Sequence, residues 1–209
     1  MEIEDTESLV PKSGSKQTVS ENTEKNTNVF NALKWPLIMY GLVGGLTIGN
    51  FPGEWIWFSW HPLCMLLAYV SLAGNAALIK KIGGYENTKT HGYMMSGAIT
   101  LASLGFYVIY SNKEMARKPH LMSIHGKLGF TVLVMYFALG AFGAIALHPD
   151  FGIMKTNKTL RTVHKLVGRA ATAFAWTSCV LGFMNMTPSL WMQAVMATPL
   201  LVAGFYVLL

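Results

Sequence analysis

The sequence predicts an all-α integral membrane protein of six transmembrane helices. Three observations predict it. Only 12% of the 209 residues are charged while 52% are hydrophobic, the mean hydropathy is +0.38, and the apolar residues gather into six runs parted by turn formers. A soluble domain carries about a quarter charged residues, so this chain has too little polar surface to face water on all sides. The runs are apolar on every side and do not alternate residue by residue, which excludes a β-barrel.

Residues 1–31 are rich in Glu, Lys, Ser, Thr and Asn and hold almost no apolar run. Such a segment buries too little surface to offset its chain entropy, and a disordered cytosolic tail is expected there. No cleavable signal peptide is visible, so the first apolar run is expected to be an uncleaved anchor. Residues 32–209 are expected to form one six-span domain.

A helix crosses a hydrocarbon core of about 30 Å with about 20 residues rising about 1.5 Å each. The runs that qualify are 35–51, 55–79, 91–110, 121–147, 163–186 and 190–209. The first is short and rich in glycine (Gly41, Gly44, Gly45, Gly49), a residue common where membrane helices pack closely. Gly53, Gly83 with Gly84, His148 with Pro149 and Asp150, and Thr187 with Pro188 punctuate the connections.

Basic residues set the direction. With the tail cytosolic, that side receives Lys12, Lys16, Lys25, Lys34, Lys80, Lys81, Lys89, Lys155, Lys158, Arg161, Lys165 and Arg169. The other side receives Lys113, Arg117, Lys118 and Lys127. This asymmetry favours both ends in the cytosol. It also accounts for the net charge of +6 without nucleic acid, because the basic residues form no stripe with aromatics. Cys64 and Cys179 both lie inside apolar runs and read as buried thiols, neither a disulfide framework nor a zinc motif.

Four of the six histidines fall near the starts of consecutive spans: His61, His91, His125 and His164. Antiparallel helices begin on alternating faces, so chain order alone pairs His61 with His125 outside and His91 with His164 inside. Ionisable groups within a membrane are costly and point to function. Imidazole is a preferred iron ligand, and a haem iron with two axial histidines is closed to other ligands and suited to one-electron transfer. A macrocycle needs cut-back helix faces. His164 is followed at helical spacing by Gly168, Ala171, Ala175 and Cys179, His91 by Met94, Met95, Ala98 and Ala102, His125 by Gly129 and Val132, and His61 by Met65 and Ala68. Paired metal or haem ligation, a proton relay and a metal-ion carrier all remain open on spacing alone. His120 follows Pro119 as the first turn of a helix, five residues before His125, which would turn it about 140° away from that face toward the outer surface or a substrate. His148, before Pro149, reads as a loop residue.

The segments Phe58-Ser59-Trp60-His61-Pro62-Leu63-Cys64-Met65, Asn112-Lys113-Glu114 through Lys118-Pro119-His120 to Ser123-Ile124-His125-Gly126, and Val163-His164-Lys165-Leu166-Val167-Gly168 resemble the cytochrome b-561 family, in particular its short six-span domain-containing reductase branch. The likeness covers roughly residues 34–209. It implies a four-helix core of spans two to five holding two haem b groups, the outer ligated by His61 and His125 and the cytosolic by His91 and His164. It also implies electron transfer from cytosolic ascorbate to monodehydroascorbate or ferric chelates across the bilayer.

Ascorbate is an anion near neutral pH, so cations beside each haem edge are expected. Lys80, Lys81, Lys89 and Lys155 are the inner candidates, and Lys118, His120 and Lys127 the outer ones. Gly126-Lys127 stands where better-known members of the family carry a Ser-Trp pair, which puts the outer acceptor in question. Trp55, Trp57, Trp60 and Tyr110 read as an interfacial belt. The expected protein is an ascorbate-dependent oxidoreductase of an endomembrane (endoplasmic reticulum or vesicle) or the plasma membrane; association into a homodimer is left open. Two rivals are a haem-free metal-ion transporter, which needs polar groups between the two histidine levels (Ser71, Asn75, Ser103 and Ser178 being the main ones), and a membrane scaffold subunit.

Overall fold

The computed structural model describes residues 13–51 and 53–208. All regular structure among them is helical, and six helices are long and apolar enough to cross a bilayer. They are α1 Ser13–Gly49, α2 Trp57–Ile82, α3 Tyr85–Met115, α4 Ile124–Ala146, α5 Lys158–Met186 and α6 Leu190–Leu208. In hydrocarbon every backbone N–H and C=O must find a partner within the chain, and a helix satisfies all but its ends.

The termini are handled by local chemistry. Ser123 caps α4, its hydroxyl accepting from Gly126 N–H at 3.1 Å, and Asn157 caps α5, accepting from Leu160 N–H at 3.0 Å. Gly83 and Gly84 join α2 to α3 at φ of 82° and 91°, angles that side-chain-bearing residues rarely adopt.

Helix α2 is the hub. Its most apolar window is 61% buried, against 17% for α4, and it packs on α1, α3 and α5. The remaining neighbours follow chain order, α3 on α4, α4 on α5 and α5 on α6. A Cβ on Gly45 of α1 would stand 2.9 Å from Leu63 Cα, so glycine is what allows α1 and α2 to approach so closely. The Ser71 hydroxyl then donates to the Leu37 carbonyl of α1 at 3.0 Å.

Helix α2 is not uniform. A 3-10 turn at Trp57–Ser59 leads into α-helix at Trp60–Leu66, a π-helical turn at Leu67–Leu72, and α-helix again at Ala73–Ile82. In the π turn Ala73 N–H bonds the Ala68 carbonyl five residues back. The Tyr69 carbonyl accepts from the indole Nε1–H of Trp176 on α5 at 2.9 Å. A helix irregularity thus becomes an interhelical hydrogen bond.

One expectation is corrected. Of the tail expected to be disordered over 1–31, residues 13–31 belong to α1, while 1–12 lie outside the described residues. From Ser15 to Trp35 the chain has no glycine or proline, which permits the helix. It also docks: the Asn26 amide donates to the Lys81 carbonyl at 2.9 Å, and Val29, Phe30 and Leu33 pack against the core.

Candidate functional site

The four histidines sit at two levels of the α2–α5 bundle. At one level, termed outer after the orientation expected from the basic residues (the other being termed inner), the ring centroids of His61 on α2 and His125 on α4 are 6.2 Å apart, with planes at 83°. Each ring is tied to a third or fourth helix. His61 Nδ1–H donates to the Gly105 carbonyl of α3 at 2.9 Å, and His125 Nδ1–H to the Ser178 carbonyl of α5 at 2.9 Å. With Nδ1 spent on a carbonyl, Nε2 keeps its lone pair for a metal. Gly182 makes room for the His125 ring, since a Cβ there would lie 3.2 Å from its Cε1.

At the inner level His91 Nδ1–H donates to the Ala76 carbonyl of α2 at 2.8 Å. His164 on α5 lies within electrostatic reach of His91. Its ring stacks on Phe142 at 6.0 Å and passes over Gly143, whose Cβ would stand 3.3 Å from Cε1. His164 Nδ1 is buried without a hydrogen-bond partner among the described residues.

The donor set fits an iron porphyrin. Two metal–imidazole bonds of about 2 Å, plus about 1.1 Å from each nitrogen to its ring centre, separate collinear centroids by about 6 Å. The outer pair stands at that spacing. Among the described residues no group of three or more His, Cys, Asp or Glu could hold a bare ion, so a pair of imidazoles suits a metal that brings its other ligands with it. The outer pair faces an apolar cavity of about 210 Å³ walled by Met65, Tyr69, Phe106, Gly129, Ala175 and Cys179.

Between the levels the interior is closed by packing. Ala68, Ala98, Ala102, Val132, Ala171 and Ala175 are fully buried. Tyr69 and Tyr136 meet edge to face at 5.0 Å. The polar residues that a transporter would need are committed elsewhere: Ser71 to Leu37, Asn75 to the carbonyls of Ser71 and Lys34, and Ser103 to Ile99 of its own helix. Ser178 lies beside His125.

The inner cations divide. Lys80 lies within electrostatic reach of Arg161, His91 and His164, and its ammonium donates to the Thr88 hydroxyl at 2.6 Å. Lys81 turns away to α6, donating to the Tyr206 carbonyl at 2.6 Å. Lys89 pairs with Asp150 at 3.5 Å, and Lys155 donates to the Asp150 carbonyl at 2.7 Å. The Tyr85 hydroxyl also donates to Asp150. That hydrogen bond, with Lys89 behind it, holds the Asp150 carboxyl below its ordinary range.

At the outer mouth the structure corrects the geometry expected of His120. Helix α4 starts at Ile124, so Pro119 and His120 lie in the preceding loop and the helical angle between His120 and His125 does not apply. His120 lines the mouth of His125's cavity with Lys113 and Asn185. It stacks on Tyr110 at 4.5 Å and bonds Glu114 through Nε2 at 2.6 Å. Lys118 and Lys127 are exposed and are not among the residues lining that cavity. His148 stacks on Phe151 at 3.9 Å in the loop after α4. Arg161, Lys113 and Asn185 were not singled out from sequence. Arg161 falls three residues before His164, one helical turn away on the same face, and that spacing was the available signal.

Residues 60–189, which include all four histidines, match the family model for eukaryotic cytochrome b561. A lysosomal membrane ascorbate-dependent ferrireductase of Bos taurus is 26% identical over 62% of this chain and 51% of its own length. An ascorbate-specific transmembrane electron transporter of Zea mays is 25% identical over 68% of this chain and 61% of its own. A transmembrane ascorbate-dependent reductase of Homo sapiens is 29% identical over 44% of each. The matched region thus spans about half of these relatives.

Proposed function

The chain belongs to the eukaryotic cytochrome b561 family, and from that premise we propose that it carries electrons across a membrane from cytosolic ascorbate to monodehydroascorbate or a ferric chelate. The family implies b-type haem. In this reading His61 and His125 hold one haem near the non-cytosolic face, and His91 and His164 hold a second near the cytosolic face. When bound by these histidines, the two groups would supply one-electron couples. The observation that carries the reading is the 6.2 Å separation of the His61 and His125 rings, each locked by a backbone carbonyl.

The chain's own residues do the rest. The Gly105, Ser178 and Ala76 carbonyls fix three imidazoles with Nε2 free. The packed layer of Tyr69, Tyr136 and Val132 excludes water between the levels. Ascorbate monoanion releases one electron and one proton on oxidation to its radical, and Lys80 with Arg161 supplies positive charge to draw the anion to the inner mouth. At the outer mouth His120, Lys113 and Asn185 face the acceptor. The asymmetry of the basic residues supports an orientation with both ends of the chain in the cytosol, in an endomembrane or the plasma membrane.

Proteoliposomes loaded with ascorbate test this. With the haems reduced from within, external monodehydroascorbate or ferric chelate should reoxidise them and consume internal ascorbate. A folded, colourless protein, or haems that internal ascorbate leaves oxidised, would contradict it.

A further inference from the structure

The four histidines differ in what their Nδ1 atoms meet. His61 and His91 each have one carbonyl, and His164 has no partner among the described residues. His125 has two oxygens of the same residue, the Ser178 carbonyl at 2.9 Å and the Ser178 hydroxyl at 3.3 Å. Any residue at 178 would supply the carbonyl. Only the side chain supplies the second oxygen, and it is buried at 5% exposure, in low dielectric, where a hydrogen bond is electrostatically strong.

The surroundings are cut to admit this contact. Gly182, one turn after Ser178, leaves room for the His125 ring, and a Cβ on Gly129 of α4 would stand 3.3 Å from the Ser178 hydroxyl. Glycines on both helices thus let the hydroxyl and the ring share one small space. We propose that Ser178 is a positioning residue whose hydroxyl, acting as a second acceptor for His125 Nδ1–H, strengthens His125 as an axial ligand and lowers the reduction potential of the outer haem. A stronger acceptor at Nδ1 pushes electron density toward Nε2 and favours the oxidised metal.

This rests on the assignment of His125 as a haem ligand, and the test separates the two. Purified holoprotein is titrated potentiometrically with optical and EPR detection, for wild type, Ser178→Ala, Ser178→Thr and His125→Ala. The expected result is a positive shift of one haem in Ser178→Ala, with changed EPR g-values for that haem and haem content and the second potential unchanged. Ser178→Thr, which keeps a hydroxyl, stays near wild type. If His125→Ala loses one haem while Ser178→Ala leaves both potentials and both EPR signals unchanged, or shifts both haems together, the role of Ser178 is overturned and the ligand assignment stands. If His125→Ala keeps both haems, the assignment fails, and this role with it.

Discussion

The ring of His61 on α2 stands edge-on to the ring of His125 on α4, 6.2 Å away, and each is held from behind by the backbone of another helix. Two side chains therefore tie α2, α3, α4 and α5 into one site. Its dimensions are set by backbone carbonyls and glycines as much as by the imidazoles.

Gly182 and Gly143 are expected to be as selective as the histidines they face. A methyl at Gly182 meets the His125 ring at 3.2 Å, and one at Gly143 meets the His164 ring at 3.3 Å. Gly182→Ala should disturb the optical and EPR signature of the outer centre only, and Gly143→Ala the inner only. Identical spectra for the two variants would show that the glycines do not shape the sites.

The Trp176 indole donates to the Tyr69 carbonyl at the π turn of α2. Trp176→Phe keeps an aromatic side chain but removes the Nε1–H donor to the Tyr69 carbonyl, together with part of the buried indole. A loss of about 1 kcal/mol is expected, toward the upper part of the range for hydrogen bonds between membrane helices. Thermal unfolding in detergent measures it, and an unchanged midpoint would mean that the π turn is held by packing alone.

Much of this was legible in the sequence. Six apolar runs, four histidines near span starts and the alternation of faces suffice to place His61 beside His125. What was not legible depends on where helices begin. Ser123, by capping α4, left His120 in a loop facing His125's cavity, where a helix from Pro119 would have turned it away. The polar stretch 13–31 has no apolar period, and its helix is anchored by contacts made far along the chain, such as Asn26 with Lys81. Lys80 and Lys81 are neighbours in sequence, yet one approaches the inner histidines and the other α6. Only the helix phase decides which.

That division has a kinetic consequence. Lys80→Ala and Arg161→Ala should raise the ascorbate concentration for half-maximal haem reduction several-fold, because a cation is lost beside the anion's path. Lys81→Ala should change it little. Stopped-flow reduction across an ascorbate series separates them, and equal effects of Lys80→Ala and Lys81→Ala would assign both to general surface charge.

Asp150 pins the loop after α4 to the start of α3 through Tyr85 and Lys89. Its carboxyl is held below the ordinary value of 3.8, first by the Tyr85 hydrogen bond. A group with a depressed folded pKa stabilises above its unfolded value and loses that contribution as pH falls through the folded one. The loop of residues 148–157 should therefore stay protected at pH 5 and loosen below about pH 3.8. Hydrogen exchange of that segment reads this out. In Asp150→Asn the segment should be loose already at pH 5, and full protection there would contradict the account.

The most direct measurement is haem per polypeptide in purified protein, with reduced-minus-oxidised spectra, for wild type and for the four single alanine variants of His61, His91, His125 and His164. The account predicts two low-spin haems in wild type and loss of the same one in His61→Ala and His125→Ala. The other should be lost in His91→Ala and His164→Ala. A wild-type protein with one haem or none, or losses that pair the histidines differently, would contradict it.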